Sequence, residues 1–186
     1  MLIAAIVHHP VENRYNGGFE TGNFSGFTQS GNTGSTSVST TNPHTGTYAA
    51  SLGPPGALGF LSQSLTTTPG QTYQLSYFLA STDTRPNNEF QTSVGGTQLF
   101  DQVNIPNQAY TQYTFNFVPT GTSTNLTFGF RDNPRNFYLD DVSVNNVTSV
   151  PAPSSTLGLL TLVAFIGGSV FKHKLKQQVN FAPRVS

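Results

Sequence analysis

The chain has 186 residues, enough for one domain with appendages, and no cysteine, so no disulfide holds it. Only 9% of its residues are charged, against roughly 25% in an average soluble protein, and the formal net charge is zero. Thr, Ser, Asn and Gly fill the polar positions, and the basic patch that nucleic-acid binding needs is missing. The few charges are segregated. All eight acids fall between Glu12 and Val150, with Arg14, Arg85, Arg131 and Arg135, while only Lys172, Lys174, Lys176 and Arg184 follow. A mildly acidic body thus joins a basic tail, as expected when two parts of a chain meet different surroundings.

The chain opens on MLIAAIV, residues 1–7, an apolar run at the lower limit of a secretory h-region with no Lys or Arg before it. Two readings stay open for residues 1–11: the end of a signal peptide that starts upstream, or a short leading strand or disordered end. Residues 12–148 read as an all-β domain. Strands are predicted over 47–52, then over 58–66 after Gly53-Pro54-Pro55-Gly56. Pro69-Gly70 turns the chain into 72–80, where Tyr73, Leu75, Tyr77 and Leu79 alternate with Thr72, Gln74, Ser76 and Phe78. Strands over 89–94 and 97–103 flank Gly95-Gly96, a hairpin signal. Tyr113, Phe115 and Phe117 alternate with polar residues, as do Leu126, Phe128 and Phe130, and Asp132-Asn133-Pro134 turns the chain into 137–144. A period of two with one apolar and one polar face, and no convincing 3.6 period, predicts a two-sheet antiparallel β-sandwich of jelly-roll type.

Pro151 and Pro153 mark 149–155 as an extended linker. Residues 156–171 carry no charge and number sixteen, just under the roughly 17–25 that span a bilayer; Ser154 and Ser155 extend them. The expectation is a single C-terminal transmembrane helix that sets Leu157, Leu160, Val163, Phe165, Ile166 and Phe171 in lipid and is pinned by Lys172, Lys174 and Lys176, with 177–186 as a tail. By the positive-inside rule the β domain then lies outside the cytoplasm.

Adjacent aspartates on an apolar strand, Asp140 and Asp141, call for an explanation in so weakly charged a chain. Strand neighbours alternate, so one is expected to point inward, where a carboxylate needs a cation or several donors. Trp is absent, and the exposed aromatic candidates for a binding platform are Phe60, Phe90, Phe100 and Tyr110, with Arg85, Asn87 and Asn88 in the loop before Phe90. Catalytic signatures are missing: no G-x-S-x-G elbow, H-E-x-x-H helix or Gly-rich phosphate loop. His44, beside Pro43, reads as a turn residue rather than a base. Asp140 and Asp141 are expected to face opposite ways, which makes them a poor acid/base pair across a cleft.

Three stretches, taken together, resemble jelly-roll carbohydrate-binding modules of galactose-binding-like fold. Asn16-Gly17-Gly18-Phe19-Glu20-Thr21-Gly22 resembles the family's opening segment, His44-Thr45-Gly46-Thr47-Tyr48 a central one, and Phe137-Tyr138-Leu139-Asp140-Asp141-Val142 the closing strand; Phe27 stands where the family usually has Trp. The resemblance implies a structural calcium held by Glu20 with Asp140 or Asp141 and by main-chain carbonyls near 45–48, an ion that takes about six to eight oxygens. Val150-Pro151-Ala152-Pro153-Ser154, the apolar span and the basic cluster resemble a PEP-CTERM sorting signal, which implies export and an exosortase as partner. Ala152 stands in place of the usual Glu, and the tail is longer than usual. The expectation is a non-catalytic, membrane-tethered or sorted surface protein with an exopolysaccharide or other glycan as partner. A purely structural or adhesive envelope protein and, third, a glycan hydrolase are the alternatives.

Overall fold

A strand whose side chains alternate between polar and apolar must cover its apolar face, and two such sheets cover each other. The computed structural model describes residues 16–83 and 87–147, and its ten strands follow that rule. In chain order they are β1 (Thr28–Gly31), β2 (Thr36–Ser39), β3 (Ala49–Leu52), β4 (Gly59–Thr66), β5 (Tyr73–Ser81), β6 (Glu89–Val94), β7 (Thr97–Val103), β8 (Gln108–Phe117), β9 (Ser123–Arg131) and β10 (Phe137–Asn146). Five form sheet I in the order β1-β4-β9-β6-β7, and five form sheet II in the order β2-β3-β10-β5-β8. Every pairing is antiparallel. The predicted all-β, two-sheet architecture is the one observed.

The core lies between the sheets. Sheet I contributes Leu61, Leu65, Phe90, Leu126, Phe128 and Phe130, and sheet II Leu75, Tyr77, Leu79, Phe137 and Leu139, all nearly or fully buried. Aromatic rings interlock edge to face, as their quadrupoles favour: Tyr77 meets Phe128 at 5.2 Å and Phe90 meets Phe137 at 5.5 Å. Tyr77 on β5 also lies 2.7 Å, hydroxyl to hydroxyl, from Thr92 on β6, which fastens the sheets through a buried polar contact. Burial pushes the Tyr77 phenol well above its usual range, so it stays a neutral partner. Replacing Tyr77 with Phe strands the Thr92 hydroxyl without a partner; the expected loss is about 1–3 kcal/mol, read as a lowered midpoint in urea unfolding.

Three features depart from the expected pattern. Strands β1 and β2, TQSG and TSVS, were not predicted, because neither carries alternating apolar residues; pairing with β4 and β3 places them instead. Strand β8 begins at Gln108, five residues before the first aromatic of the predicted run, Tyr113. A bulge interrupts β10 between Asp140 and Ser143, where Asp141 takes a left-handed φ of 49°. Into that bulge the opening loop docks: Val142 N–H donates to the Gly17 carbonyl at 3.0 Å. A Cβ on Gly17 would collide with the Val142 main chain, so glycine there permits the approach. Phe19 plugs the same end, fully buried, with Phe27 stacked on it at 5.5 Å.

The chain separates into a unit of Met1–Val150 and a unit of Pro151–Ser186. The expected sorting motif and transmembrane helix, with the residues assigned to them, lie outside the described residues. Among the described residues no helix is long and apolar enough to cross a membrane.

Candidate functional site

Alternation sends every second side chain of sheet I away from the core, and register then lines those side chains up across strands. Phe60 on β4 lies opposite Gly129 on β9, Gly129 opposite Gln91 on β6, and Gln91 opposite Asp101 on β7. One row along the strands, Ser62, Thr127, Ser93 and Gln98 are matched in the same way. In the other direction Arg131 faces Glu89. The result is a polar outer face with one aromatic ring. A shallow depression of about 200 Å³ opens there, lined by Phe60, Gln91, Ser93, Gln98, Thr127 and Gly129 among others. Gly129 supplies its floor. A Cβ at that position would sit 3.1 Å from both the Phe60 ring and the Gln91 amide oxygen, tight enough to push them apart.

The polar groups of this face are held in place. The Gln91 amide donates to Glu89 at 2.6 Å, and Arg131 Nε donates to the other Glu89 oxygen at 2.8 Å. Arg131 also donates to the Asn87 carbonyl at 3.1 Å. The Ser62 and Thr127 hydroxyls are 3.1 Å apart, and the Asn125 amide donates to Thr127 at 3.1 Å. Such pre-ordered amides and hydroxyls can exchange hydrogen bonds with a ligand rich in hydroxyls, while the ring offers an apolar platform. Nothing in the row supplies a nucleophile activated by a base.

A second constellation forms around the 44–48 loop. Glu20, Asp140 and Asp141, distant in sequence, all bond to it. Glu20 accepts N–H groups from Thr47 and Tyr48 at 3.0–3.1 Å. Asp140 accepts those of His44, Thr45 and Asp141. Asp141 takes the Thr45 hydroxyl at 2.6 Å and lies 2.6 Å from His44 Nδ1. The two aspartates therefore do not face opposite ways: the bulge and the left-handed Asp141 turn both toward one loop. Asp140 is fully buried, and burial pushes its carboxyl up to about 6 against the pull of its three N–H donors. Each of the six carboxylate oxygens already has a protein donor, and among the described residues no group of three His, Cys, Asp or Glu is arranged to hold a metal ion. His44 is built into the loop, its ring stacked 3.8 Å from Phe78.

The residues expected at a glycan site scatter. Phe90, expected on the surface, is fully buried, because the β6 alternation turns Phe90, Thr92 and Val94 inward. Asn88 is buried as well, its side chain bonded to the main chain of Ile105 at 2.6 and 2.8 Å. Phe100 is half-buried against Tyr113 at 4.9 Å, on the core side. Tyr110 is half-buried beside His44 and donates to the Asn42 carbonyl, at the edge of sheet II. Asn87 is exposed, and its N–H donates to Asn104. Arg85 lies outside the described residues. Of the aromatics named from sequence, Phe60 alone joins the outer face. Glu89, Gln91, Gln98, Thr127, Gly129 and Arg131 were missed; their signal is alternation with buried neighbours, which marks a face but not which strands share it.

The family profile of carbohydrate binding domains CBM_4_9 matches residues 11–134, more than half of the chain. Among curated proteins no match is found. Among solved structures the chain is similar to TmCBM61 in complex with β-1,4-galactotriose, with 19% identity, a TM-score of 0.59, and coverage of 73% of this chain and 99% of that one. It is also similar to the CBM22-1 xylan-binding domain from Paenibacillus barcinonensis Xyn10C, with 20% identity, a TM-score of 0.52 and coverage of 71% and 92%. The enzymatically active domain of tailspike protein 4 from bacteriophage CBA120 matches at 14% identity and a TM-score of 0.59, over 74% of this chain but 22% of that one. At these identities the structural likeness establishes the jelly-roll fold, and the profile match establishes the lineage: this chain belongs to the CBM_4_9 family of carbohydrate binding domains.

Proposed function

We propose that the chain is a non-catalytic glycan-binding protein whose site is the outer face of sheet I, and that its ligand is a neutral polysaccharide. The row Phe60, Gly129, Gln91 carries this reading: a ring, a side-chain-free floor and an ordered amide lie side by side across three strands. Charge argues for a neutral ligand. Arg131 is already paired with Glu89 at 2.8 Å, and Asp101 adds a negative charge beside Gln91, so an anionic sugar would meet no free cation there among the described residues. One structure of the same fold is named for its complex with β-1,4-galactotriose and another as a xylan-binding domain, and both support the ligand class. Binding to neutral galactans, xylans and β-glucans, with none to pectate or alginate, is the expected result on a polysaccharide panel. Silence across the panel would instead favour a structural or adhesive role, for which the mutual hydrogen bonds of Ser62, Thr127 and Asn125 are suited.

The calcium expected at Glu20, Asp140 and Asp141 is a separate proposal. It is supported by three carboxylates drawn to one loop with His44 as the sole ion-pair partner there among the described residues. Main-chain carbonyls of that loop would complete its shell, and its contribution would be to tie the opening loop to β10. Calcium saturation then raises the melting temperature of the parent protein, and E20Q binds one calcium fewer. An unchanged calcium count in E20Q removes the proposal.

The place of action rests on sequence. The Pro/Ser linker, the apolar run 156–171 and the lysines after it support export, a membrane tether and handling by an exosortase, with the β domain facing exopolysaccharide outside the cell. Recovery of the full chain in the soluble cytoplasmic fraction of its own cells would overturn that part alone.

A further inference from the structure

Two of the chain's eight acids, Asp83 and Asp132, are each 1% exposed. Asp83 follows β5 in sheet II and Asp132 follows β9 in sheet I, so the pair joins strand ends of opposite sheets. Their main chains are anchored: Asp132 N–H donates to the Pro54 carbonyl at 3.1 Å, and Asp83 N–H to the Ser81 hydroxyl at 3.4 Å. The Asp132 carboxyl is not anchored. Both of its oxygens are buried without a hydrogen bond of good geometry, and the adjacent Asn133 N–H offsets that burial only in part. Burial pushes this carboxyl up to about 7, and the adjacent Asp83 carboxyl adds to the shift through contact and charge.

A buried carboxylate so poorly supplied with donors is among the costliest groups a fold can hold. A proton shared between the two acids quiets one Asp132 oxygen and leaves the other bare, together with one buried negative charge. A divalent cation neutralises both carboxylates and takes both Asp132 oxygens at once. We propose that Asp83 and Asp132 form the core of a divalent-cation site of calcium type, separate from the one expected at Glu20, that ties the end of β5 to the end of β9. An all-oxygen pair selects a hard cation, and calcium accepts main-chain carbonyls and water for its remaining positions. With only two carboxylates the affinity belongs in the range of extracellular modules, a Kd of about 0.1–1 mM.

The test is a calcium count by equilibrium dialysis on the chelator-stripped full chain, at about 10 mM calcium so that a site of this class fills. D132N and D83N are each expected to bind one calcium fewer than the parent, and to lose that part of the calcium-dependent rise in melting temperature. The E20Q chain is expected to retain one calcium at this site. Equal counts in D132N and the parent, or no calcium bound by E20Q, overturn the proposal and leave a pair of acids sharing a proton. Should D132N fail to fold, D83N and E20Q give the same decision. Because the readout is metal and not sugar, its failure leaves the glycan reading untouched.

Discussion

Replacing Phe60 with Ala is expected to weaken glycan binding by roughly ten- to a hundredfold, or about 1.4–2.8 kcal/mol, the scale of an aromatic anchor in a recognition site. The Phe60 ring lies beside Gly129, the residue without a side chain that forms the floor of the depression, so among the described residues it is the one aromatic platform of the outer face. Gln91→Ala should weaken binding in the same direction, since the amide beside that floor is an ordered polar partner for a sugar hydroxyl. Both side chains point away from the core, and melting temperatures should stay close to that of the parent protein. Isothermal titration with the best polysaccharide of the panel measures the first effect, and thermal melting controls for the second. Unchanged affinity in both variants would remove the outer face of sheet I as the binding site.

The opposite pattern is expected for Phe90→Ala. This ring is fully buried and touches Tyr77, Phe128 and Phe137 with centroids 5.5–6.0 Å apart. Emptying such a site costs about 3–5 kcal/mol, the transfer of the lost atoms plus the cavity left behind. In a domain of this size the melting temperature should fall by on the order of 10 °C or more. Glycan affinity, measured well below the new midpoint, should be retained, because Phe90 faces the interior and the outward residues of β6 are its neighbours Glu89 and Gln91. Phe60 and Phe90 thus separate binding from stability. A Phe90 variant that melts like the parent protein would contradict the interior placement of that ring.

Much of the fold was legible because its signals are local. Strands 89–94 and 97–103 were read to the residue, since Gly95 and Gly96 supply the left-handed turn, with φ of 58° and 81°, between two alternating runs. The alternation predicted over 72–80 likewise set Tyr73, Leu75, Tyr77 and Leu79 on one face, which is the buried one. Where alternation fails, so did the reading. β1 is exposed along its whole length and exists by pairing with β4. Thr92, polar yet buried through its bond to Tyr77, blurred the β6 pattern and let Phe90 pass for a surface ring. Strand logic also predicted opposite directions for Asp140 and Asp141, and one extra residue in β10 reversed that.

By itself the sequence determined the strands that alternate, the turns whose glycines allow them, and the motifs that mark the carbohydrate-binding lineage, because each depends on residues a few positions apart. Tertiary structure alone decided that Phe60, Gly129, Gln91 and Gln98 share one face. Those neighbours lie on strands far apart in the chain, and strand order is set by closing both sheets over one shared core, a long-range condition that no short stretch encodes.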